Sequence, residues 1–149
     1  MQTRLNYAKL SPAAFQAMLG FSQSLEESSL GKSLMELLFL RVSQINGCAF
    51  CIDMHGYALK QMGESFQRLN SLAFWRDAPC FSERERAALA WAETLTNVAS
   101  SRAPQDLYLA LQAHFNEHEI ADLGFAIAAI NAWNRIAIGF DQAVALRAA

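Results

Sequence analysis

Helix-start signals recur along this chain, and they constrain its fold more than any other feature of the sequence. Ser82 stands three positions before Glu85, the spacing of a capping box at a helix N-terminus. The same spacing separates Asn116 from Glu119. No run of alternating β-branched residues indicates a strand. We therefore predict an all-α fold.

Further start and stop signals divide the chain into helices. Ser11-Pro12 is typical of an N-cap followed by proline at the first helical position. Asn46-Gly47 and Gly63 are typical of helix C-termini. The predicted helices cover residues 11–28, 32–45, 48–62, 64–72, 82–99, 104–114 and 116–146, with a loop at 75–81.

The composition indicates one apolar unit that associates with copies of itself. A chain of 149 residues has the usual size of one domain, so we predict a single domain over residues 1–149. Hydrophobic residues make up 53% and charged residues 17%, more apolar side chain than one small core needs, so we predict a homo-oligomer. A membrane is the weaker explanation, because the most apolar stretch, residues 120–140, is interrupted by Asp122, Asn131, Asn134 and Arg135.

The net charge and the N-terminal sequence indicate which kinds of partner and which cellular compartment to expect. The net charge of −2, without a basic stripe, argues against a nucleic-acid partner. Residues 1–10 lack the continuous apolar segment of a secretory signal, so we expect a cytoplasmic location. Structural disulfides are rare there. A close pair among the three cysteines therefore predicts redox or metal chemistry.

The segment that carries this chemistry is Cys48-Ala49-Phe50-Cys51-Ile52-Asp53-Met54-His55. Unpaired amides at a helix N-terminus stabilise a thiolate, the form that attacks peroxides and disulfides. A second cysteine three residues away can close a disulfide before the oxidised sulfur reaches an irreversible state. His55 follows Cys51 by four residues and Cys48 by seven, so the three side chains share one helical face, where the imidazole can accept a thiol proton.

Glu36 is the candidate partner of this histidine. It lies on the preceding predicted helix, from which a helical hairpin can bring its carboxylate to His55 to orient the ring or relay its proton. The two cysteines, the histidine and the glutamate also permit a second interpretation, as zinc ligands. His114 and His118 lack the H-E-x-x-H pattern of a zinc protease and are predicted surface residues. Cys80, in the predicted loop, is interpreted as an incidental thiol.

Two stretches of the sequence resemble a known family. The run LRVSQINGCAFCIDMH at residues 40–55 resembles the core of the AhpD-like alkylhydroperoxidases, which belong to the carboxymuconolactone decarboxylase superfamily. The resemblance continues through SERERAALAW at residues 82–91 and, with the helical layout, covers most of the chain after about residue 30. It implies an all-helical fold that assembles into trimers or hexamers, which suits the surplus of apolar residues.

The resemblance also implies roles for the four candidate residues. In the family's peroxidase the second cysteine attacks the hydroperoxide and becomes a sulfenic acid, which the first cysteine converts into a disulfide. The resemblance therefore makes Cys51 the peroxidatic and Cys48 the resolving cysteine here. His55 and Glu36 correspond to the family's proton relay. An external dithiol, lipoyl-bearing or thioredoxin-like, then restores the pair; we predict no cofactor and no bound metal. The peroxidase has a histidine where this sequence has Phe50, so one member of its relay is missing.

Other interpretations stay open beside this one. The superfamily takes its name from decarboxylation of a lactone acid, but that branch does not depend on a C-x-x-C pair. A binding module whose assembly responds to disulfide formation is a non-enzymatic alternative. The helix N-terminus taken alone favours Cys48, rather than Cys51, as the reactive thiolate. Trp133, Asn134 and Arg135 are further candidates for lining a pocket near the dithiol.

Overall fold

The computed structural model describes residues 3–146 and confirms the all-α class. Within this range the chain forms helices and turns but no strand. None of the helices in this range is both long and apolar enough to cross a membrane. The α-helices are α1 Tyr7–Leu10, α2 Pro12–Ser24, α3 Lys32–Asn46, α4 Ala49–Gln61, α5 Phe66–Ser71, α6 Glu83–Thr96, α7 Val98–Ser101, α8 Gln105–Gln112 and α9 Glu117–Gly139, with a 3-10 turn at Leu72–Phe74.

Both predicted capping boxes are present. Ser82 Oγ accepts the backbone N–H of Glu85 at 3.2 Å, and the Glu85 carboxylate accepts that of Ser82 at 2.8 Å. Asn116 and Glu119 form the same two bonds, at 2.9 and 3.0 Å. Because these bonds satisfy amides that a helix start leaves unpaired, α6 and α9 begin where the sequence predicts.

The main core lies between α3, α6 and α9, which pack against one another. Burying one leucine or isoleucine side chain contributes about 1.5–3 kcal/mol, so packing more than intrinsic propensity holds these helices. Helix α4 packs beside α3 as the second arm of a helical hairpin. The fully buried side chains of the core include Leu37, Leu38, Leu89, Leu123 and Ile127.

Helices α1 and α2 form a thin outer layer against α9. Neither contains a buried residue. Arg4, just before α1, donates its backbone N–H to the Phe140 carbonyl at 2.9 Å and its guanidinium to the Gly139 carbonyl at 3.0 Å. The Tyr7 ring stacks on Phe140 with centroids 5.3 Å apart. The N-terminal segment is therefore bound to the C-terminal end of α9.

Two helices end four or more residues earlier than predicted. Helix α2 stops at Ser24 instead of residue 28, because the Leu25 N–H turns back to the Ser22 carbonyl at 3.2 Å. Helix α9 stops at Gly139 instead of residue 146. Arg4 donates hydrogen bonds to the carbonyls of Gly139 and Phe140 at this end. Neither contact has a signal in the local sequence pattern.

Smaller differences concern short elements. The predicted helix 82–99 ends at Thr96 and is followed by α7, after Asn97 bonds the Glu93 carbonyl at 3.0 Å. The predicted helices 64–72 and 104–114 are shortened to α5 and α8, and α1 has too few residues to show a helical period. The loop predicted at 75–81 is confirmed.

An ion-pair cluster joins α3, α6 and the loop that precedes α6. Glu93 accepts hydrogen bonds from Arg41 at 2.8 Å, Trp75 at 2.9 Å and Arg76 at 2.6 Å. Burial alone would raise the pKa of Glu93, but the three hydrogen bonds lower it below the ordinary value of 4.5. The carboxylate is therefore more acidic in the folded chain than in the unfolded one.

Candidate active site

The turn between α3 and α4 places Cys48 and Cys51. Helix α3 is capped by Gly47, whose φ of 70° is left-handed and suits glycine. The Cys48 N–H then donates to the Ser43 carbonyl at 3.0 Å. Cys48 is the N-cap of α4, and its Sγ accepts the N–H of Cys51 at 3.3 Å. The predicted helix start is confirmed, and a disulfide joins the two cysteines, with Cα atoms 5.3 Å apart.

The two cysteines have different surroundings although both are buried. Each is 2% exposed, and both belong to a small apolar cluster with Ala137 of α9 and the half-buried Phe50. This cluster is separate from the main core. A backbone amide of the helix start points at the Cys48 sulfur, whereas Cys51 lines a pocket.

His55 and Glu36 meet across the α3–α4 hairpin. Nδ1 of His55 lies 2.8 Å from Oε2 of Glu36, although the two residues are 19 positions apart. An ionised carboxylate can only accept a hydrogen bond, so beside it a neutral imidazole carries its proton on Nδ1 and presents Nε2 as an acceptor. Nε2 is buried and, among the side-chain nitrogens and oxygens of residues 3–146, is the one such atom without a hydrogen-bond partner. A buried polar atom without a hydrogen-bond partner is a candidate for a catalytic role.

Cys51, His55 and Glu36 line the same pocket, whose volume is about 630 Å³. This volume falls in the range of small-molecule sites. Cys48 is not among the lining residues of this pocket. The walls come from α1, α2 and the turn after it, α3, α4 and α9. They are mostly apolar or aromatic: Tyr7, Phe15, Leu19, Leu25, Met35, Phe39, Phe50, Met54, Ile130, Trp133 and Ala137, with Glu26, Glu27 and Lys32 as further charged members.

Aromatic rings from both ends of the chain form one wall of this pocket. Phe15 of α2 meets Tyr7 with centroids 6.1 Å apart and meets Trp133 of α9 edge-to-face at 5.9 Å. Trp133 donates its Nε1–H to Ser22 Oγ at 2.8 Å, which fixes the indole. Burial raises the pKa of Tyr7 above its ordinary value of 10.0. The sequence did not single out Tyr7 or Phe15, because apolar residues at helical spacing indicate core as readily as a pocket.

The remaining predicted residues separate into different places. Trp133 lines the pocket, but Asn134 is fully buried outside it, and Arg135 is exposed and donates to the Asn131 carbonyl at 2.9 Å. Cys80 packs against the main core instead of joining the other two cysteines. His114 and His118 are exposed, as predicted.

The four candidate residues do not form a metal-ligand set in this geometry. Glu36 is bound to His55, and Cys48 is bonded to Cys51. In the part of the chain that the structure describes, no group of three or more histidine, cysteine, aspartate or glutamate side chains is arranged to hold a metal ion. The geometry therefore gives no support to the zinc interpretation.

Comparison with known sequences relates the chain to one family. The sequence profile of the carboxymuconolactone decarboxylase family matches residues 12–94, which include both paired cysteines, His55 and Glu36. YdfG of Bacillus subtilis, an uncharacterized protein, is 38% identical over 145 residues, which span 97% of this chain and 99% of YdfG.

Solved structures give the same relationship. ATU0492 of Agrobacterium tumefaciens, a protein of unknown function described as an AhpD antioxidant defence protein, is similar with a TM-score of 0.95 and 43% identity, over 98% of this chain and all of its own. An uncharacterized peroxidase-related protein from Silicibacter sp. TM1040 is similar with a TM-score of 0.76 and 30% identity, over 85% of this chain and 67% of its own.

Proposed function

Because the chain is an AhpD-like member of the carboxymuconolactone decarboxylase family, we propose that it is a dithiol enzyme that reduces organic hydroperoxides. In this proposal Cys48 and Cys51 are the redox pair, and residues 1–149 act as one domain. One observation carries the proposal. Cys51 shares the wall of a pocket with His55, whose ring Glu36 holds in place, and the pocket has room for an organic molecule.

Cys51 is the attacking sulfur in this proposal. Its side chain lines the pocket and that of Cys48 does not, so a bound peroxide meets Cys51 first. His55 lies four residues further along α4, on the same face, and its unpartnered Nε2 serves as the base for the Cys51 thiol. The amide that points at the Cys48 sulfur favours a thiolate there. Access through the pocket, however, decides which sulfur reacts.

The reaction has two chemical steps. The Cys51 thiolate attacks the terminal oxygen of the hydroperoxide, the O–O bond breaks, and a sulfenic acid and an alkoxide form. The alkoxide takes the proton that His55 removed from the thiol and leaves as the alcohol. The Cys48 thiol then attacks the Cys51 sulfur, the S–S bond forms and water leaves. One turnover oxidises two thiols to a disulfide and reduces one hydroperoxide to an alcohol and water.

The proton relay of this chain consists of His55 and Glu36. Phe50 has no titratable group, and its ring packs in the apolar cluster around the two sulfurs. Glu36 keeps the proton of His55 on Nδ1, so that Nε2 is available to Cys51.

An external dithiol closes the proposed cycle. One of its thiolates attacks the disulfide, a mixed disulfide forms, and its second thiol releases the reduced Cys48–Cys51 pair. A lipoyl-bearing or thioredoxin-like protein has this chemistry. Such dithiols are kept reduced in the cytoplasm, where we expect the cycle to run.

We also propose that the chain assembles into a homo-oligomer, a trimer or a hexamer. Large apolar side chains are exposed on several helices of the described chain, and burying them between copies would remove them from water. Light scattering after size-exclusion chromatography measures the mass of the assembly; a monomer at micromolar concentration would contradict this proposal. The exposed side chains include Phe66, Phe74, Val98, Leu109 and Phe125.

Intact mass after brief treatment of the fully reduced protein with cumene hydroperoxide tests the proposed function. We expect a loss of two hydrogens, which peptide mapping assigns to a Cys48–Cys51 disulfide. The variant Cys80→Ser is the matched control and should give the same result, because Cys80 packs apart from the pair. If peroxide leaves the thiols reduced while a small disulfide oxidises them, the chain is an exchange protein and not a peroxidase. Inertness toward both reagents would reject the redox proposal altogether.

A further inference from the structure

A network of side-chain amides and hydroxyls lies next to the dithiol. The Asn46 amide, at the end of α3, donates to Asn131 at 3.0 Å and to Asn134 at 2.9 Å, both on α9. Asn134 has no exposed surface and donates to the Ser43 hydroxyl at 3.0 Å. Asn131 donates to the hydroxyl of Thr96, on α6, at 3.1 Å. The network therefore links the three core helices at one level.

This network specifies positions more sharply than apolar packing would. A buried amide is unfavourable unless it is hydrogen-bonded, and hydrogen bonds have strict distances and directions. Asn46 satisfies two acceptors from α9 at once, so the end of α3 can occupy one place relative to α9. A polar network hydrogen-bonded in this way favours one local arrangement over others.

The network reaches both sides of the Cys48–Cys51 pair. On α3, Asn46 immediately precedes the Gly47 turn, and the Ser43 carbonyl accepts the N–H of Cys48 at 3.0 Å. On α9, Ala137 lies three residues after Asn134 and belongs to the apolar cluster around the two sulfurs. The turn that carries one sulfur and the helix that covers both are thus held by the same set of bonds.

We infer that this network, centred on Asn46, positions Cys48 for disulfide closure and thereby sets the reduction potential of the pair. The disulfide requires Cys48 at bonding distance from Cys51, whereas the dithiol form tolerates many positions of Cys48. Holding the turn in place therefore favours the disulfide, as orientation favours any intramolecular reaction. The inference rests on the dithiol chemistry proposed above but does not require that a peroxide be the oxidant.

Equilibration with dithiothreitol redox buffers tests this inference. In the measured exchange, dithiothreitol is oxidised to its cyclic disulfide and passes two electrons and two protons to the Cys48–Cys51 disulfide. The oxidised fraction is read from intact mass after alkylation of free thiols. We expect Asn46→Ala to lower the equilibrium constant for disulfide formation about tenfold, equivalent to about 30 mV. Thr96→Val, at the far end of the network, should produce a smaller shift in the same direction.

The control removes packing without touching the network. Leu111→Ala deletes a fully buried side chain of α8, which packs on α6 and lies outside the cluster around the sulfurs. It should lower stability and leave the redox equilibrium within about twofold of the parent. An equal shift in Leu111→Ala, or no shift in Asn46→Ala, overturns the inference. If Asn46→Ala does not fold, the shift in Thr96→Val decides. A shifted potential in a protein that reduces no peroxide would reject the proposed function and leave this inference intact.

Discussion

The imidazole of His55 and the carboxylate of Glu36 lie 2.8 Å apart across the α3–α4 hairpin. The two helices are joined by a connection of two residues, so the contact is set by local geometry more than by distant packing. It leaves Nε2 of His55 buried and without a partner on the helical face that also carries Cys51.

We expect His55→Gln to slow the oxidation of Cys51 by cumene hydroperoxide about 100-fold, because the base is lost. Glu36→Gln should slow it about tenfold, because the ring then loses a charged partner that fixes its proton on Nδ1. Quenched-flow alkylation of free thiols measures both rates. Glu26→Gln is the matched control, since Glu26 also lines the pocket but is exposed. Equal rates in Glu36→Gln and Glu26→Gln would remove Glu36 from the relay.

The two cysteines should respond differently to replacement by serine. Cys51→Ser should abolish peroxide-dependent oxidation of the pair, because the sulfur that lines the pocket is lost. Cys48→Ser should instead leave a sulfenic acid on Cys51, since no resolving thiol remains. A dimedone adduct detected by mass spectrometry measures this species. Peroxide consumption at the parental rate by Cys51→Ser, with the adduct on Cys48, would reverse the two roles.

The aromatic wall should select organic over inorganic peroxide. Phe15→Ala removes a ring that meets both Tyr7 and Trp133, so an apolar substrate loses contact area. We expect the ratio of kcat/KM for cumene hydroperoxide to that for hydrogen peroxide to fall about tenfold. Phe66→Ala is the control, because that ring is 81% exposed and outside the pocket. A parallel fall for both peroxides would assign Phe15 a structural role and not a selective one.

Glu93 should make the fold sensitive to acid. Its folded-state pKa lies below the ordinary value of 4.5, so the unfolded chain takes up the proton more readily. The contribution of ionised Glu93 to the free energy of unfolding is therefore complete above about pH 4.5 and is lost as the pH falls below that value. We expect Glu93→Gln to be less stable than the parent near neutrality but to lose less stability on acidification. Urea unfolding at several pH values measures this.

The control for the acid prediction is Glu83→Gln. The Glu83 side chain is 82% exposed and makes a single long contact of 3.9 Å with Arg86. Exposed ion pairs of this kind contribute little to the free energy of unfolding. The variant should therefore follow the pH dependence of the parent. If Glu93→Gln followed it too, the ion-pair cluster would not be the source of the acid sensitivity.

The starts of α6 and α9 and the end of α3 at Gly47 could be predicted from the sequence, whereas the ends of α2 and α9 could not. Capping at Ser82 and Asn116 is encoded within four residues, so α6 and α9 begin as predicted. The end of α9 depends on Arg4, which approaches from the other end of the chain. Local patterns carry no information on such a contact. The early end of α2 is a local turn at Leu25, and α1 is too short to show a helical period.

The candidate site also has a part that the local sequence predicts and a part that it does not. Cys48, Cys51 and His55 share one helix, so their common face follows from spacing, and the predicted approach of Glu36 is observed as a direct contact. Their chemical roles stay predictions. The pocket wall was not predictable, because it forms when α2 docks on α9 and brings Ser22 to Trp133, 111 residues away.

The thin layer made by α1 and α2 allows the site to open without unfolding of the core. These helices bury no residue, whereas α3, α6 and α9 share the fully buried core. The free energy of local opening follows the amount of buried apolar contact, so α1 and α2 detach at much lower cost than the core helices. Their amide hydrogens should exchange with solvent faster than those of α3. In the proposed cycle, this local opening is the route by which a protein-borne dithiol reaches a disulfide whose cysteines are 2% exposed when the layer is in place.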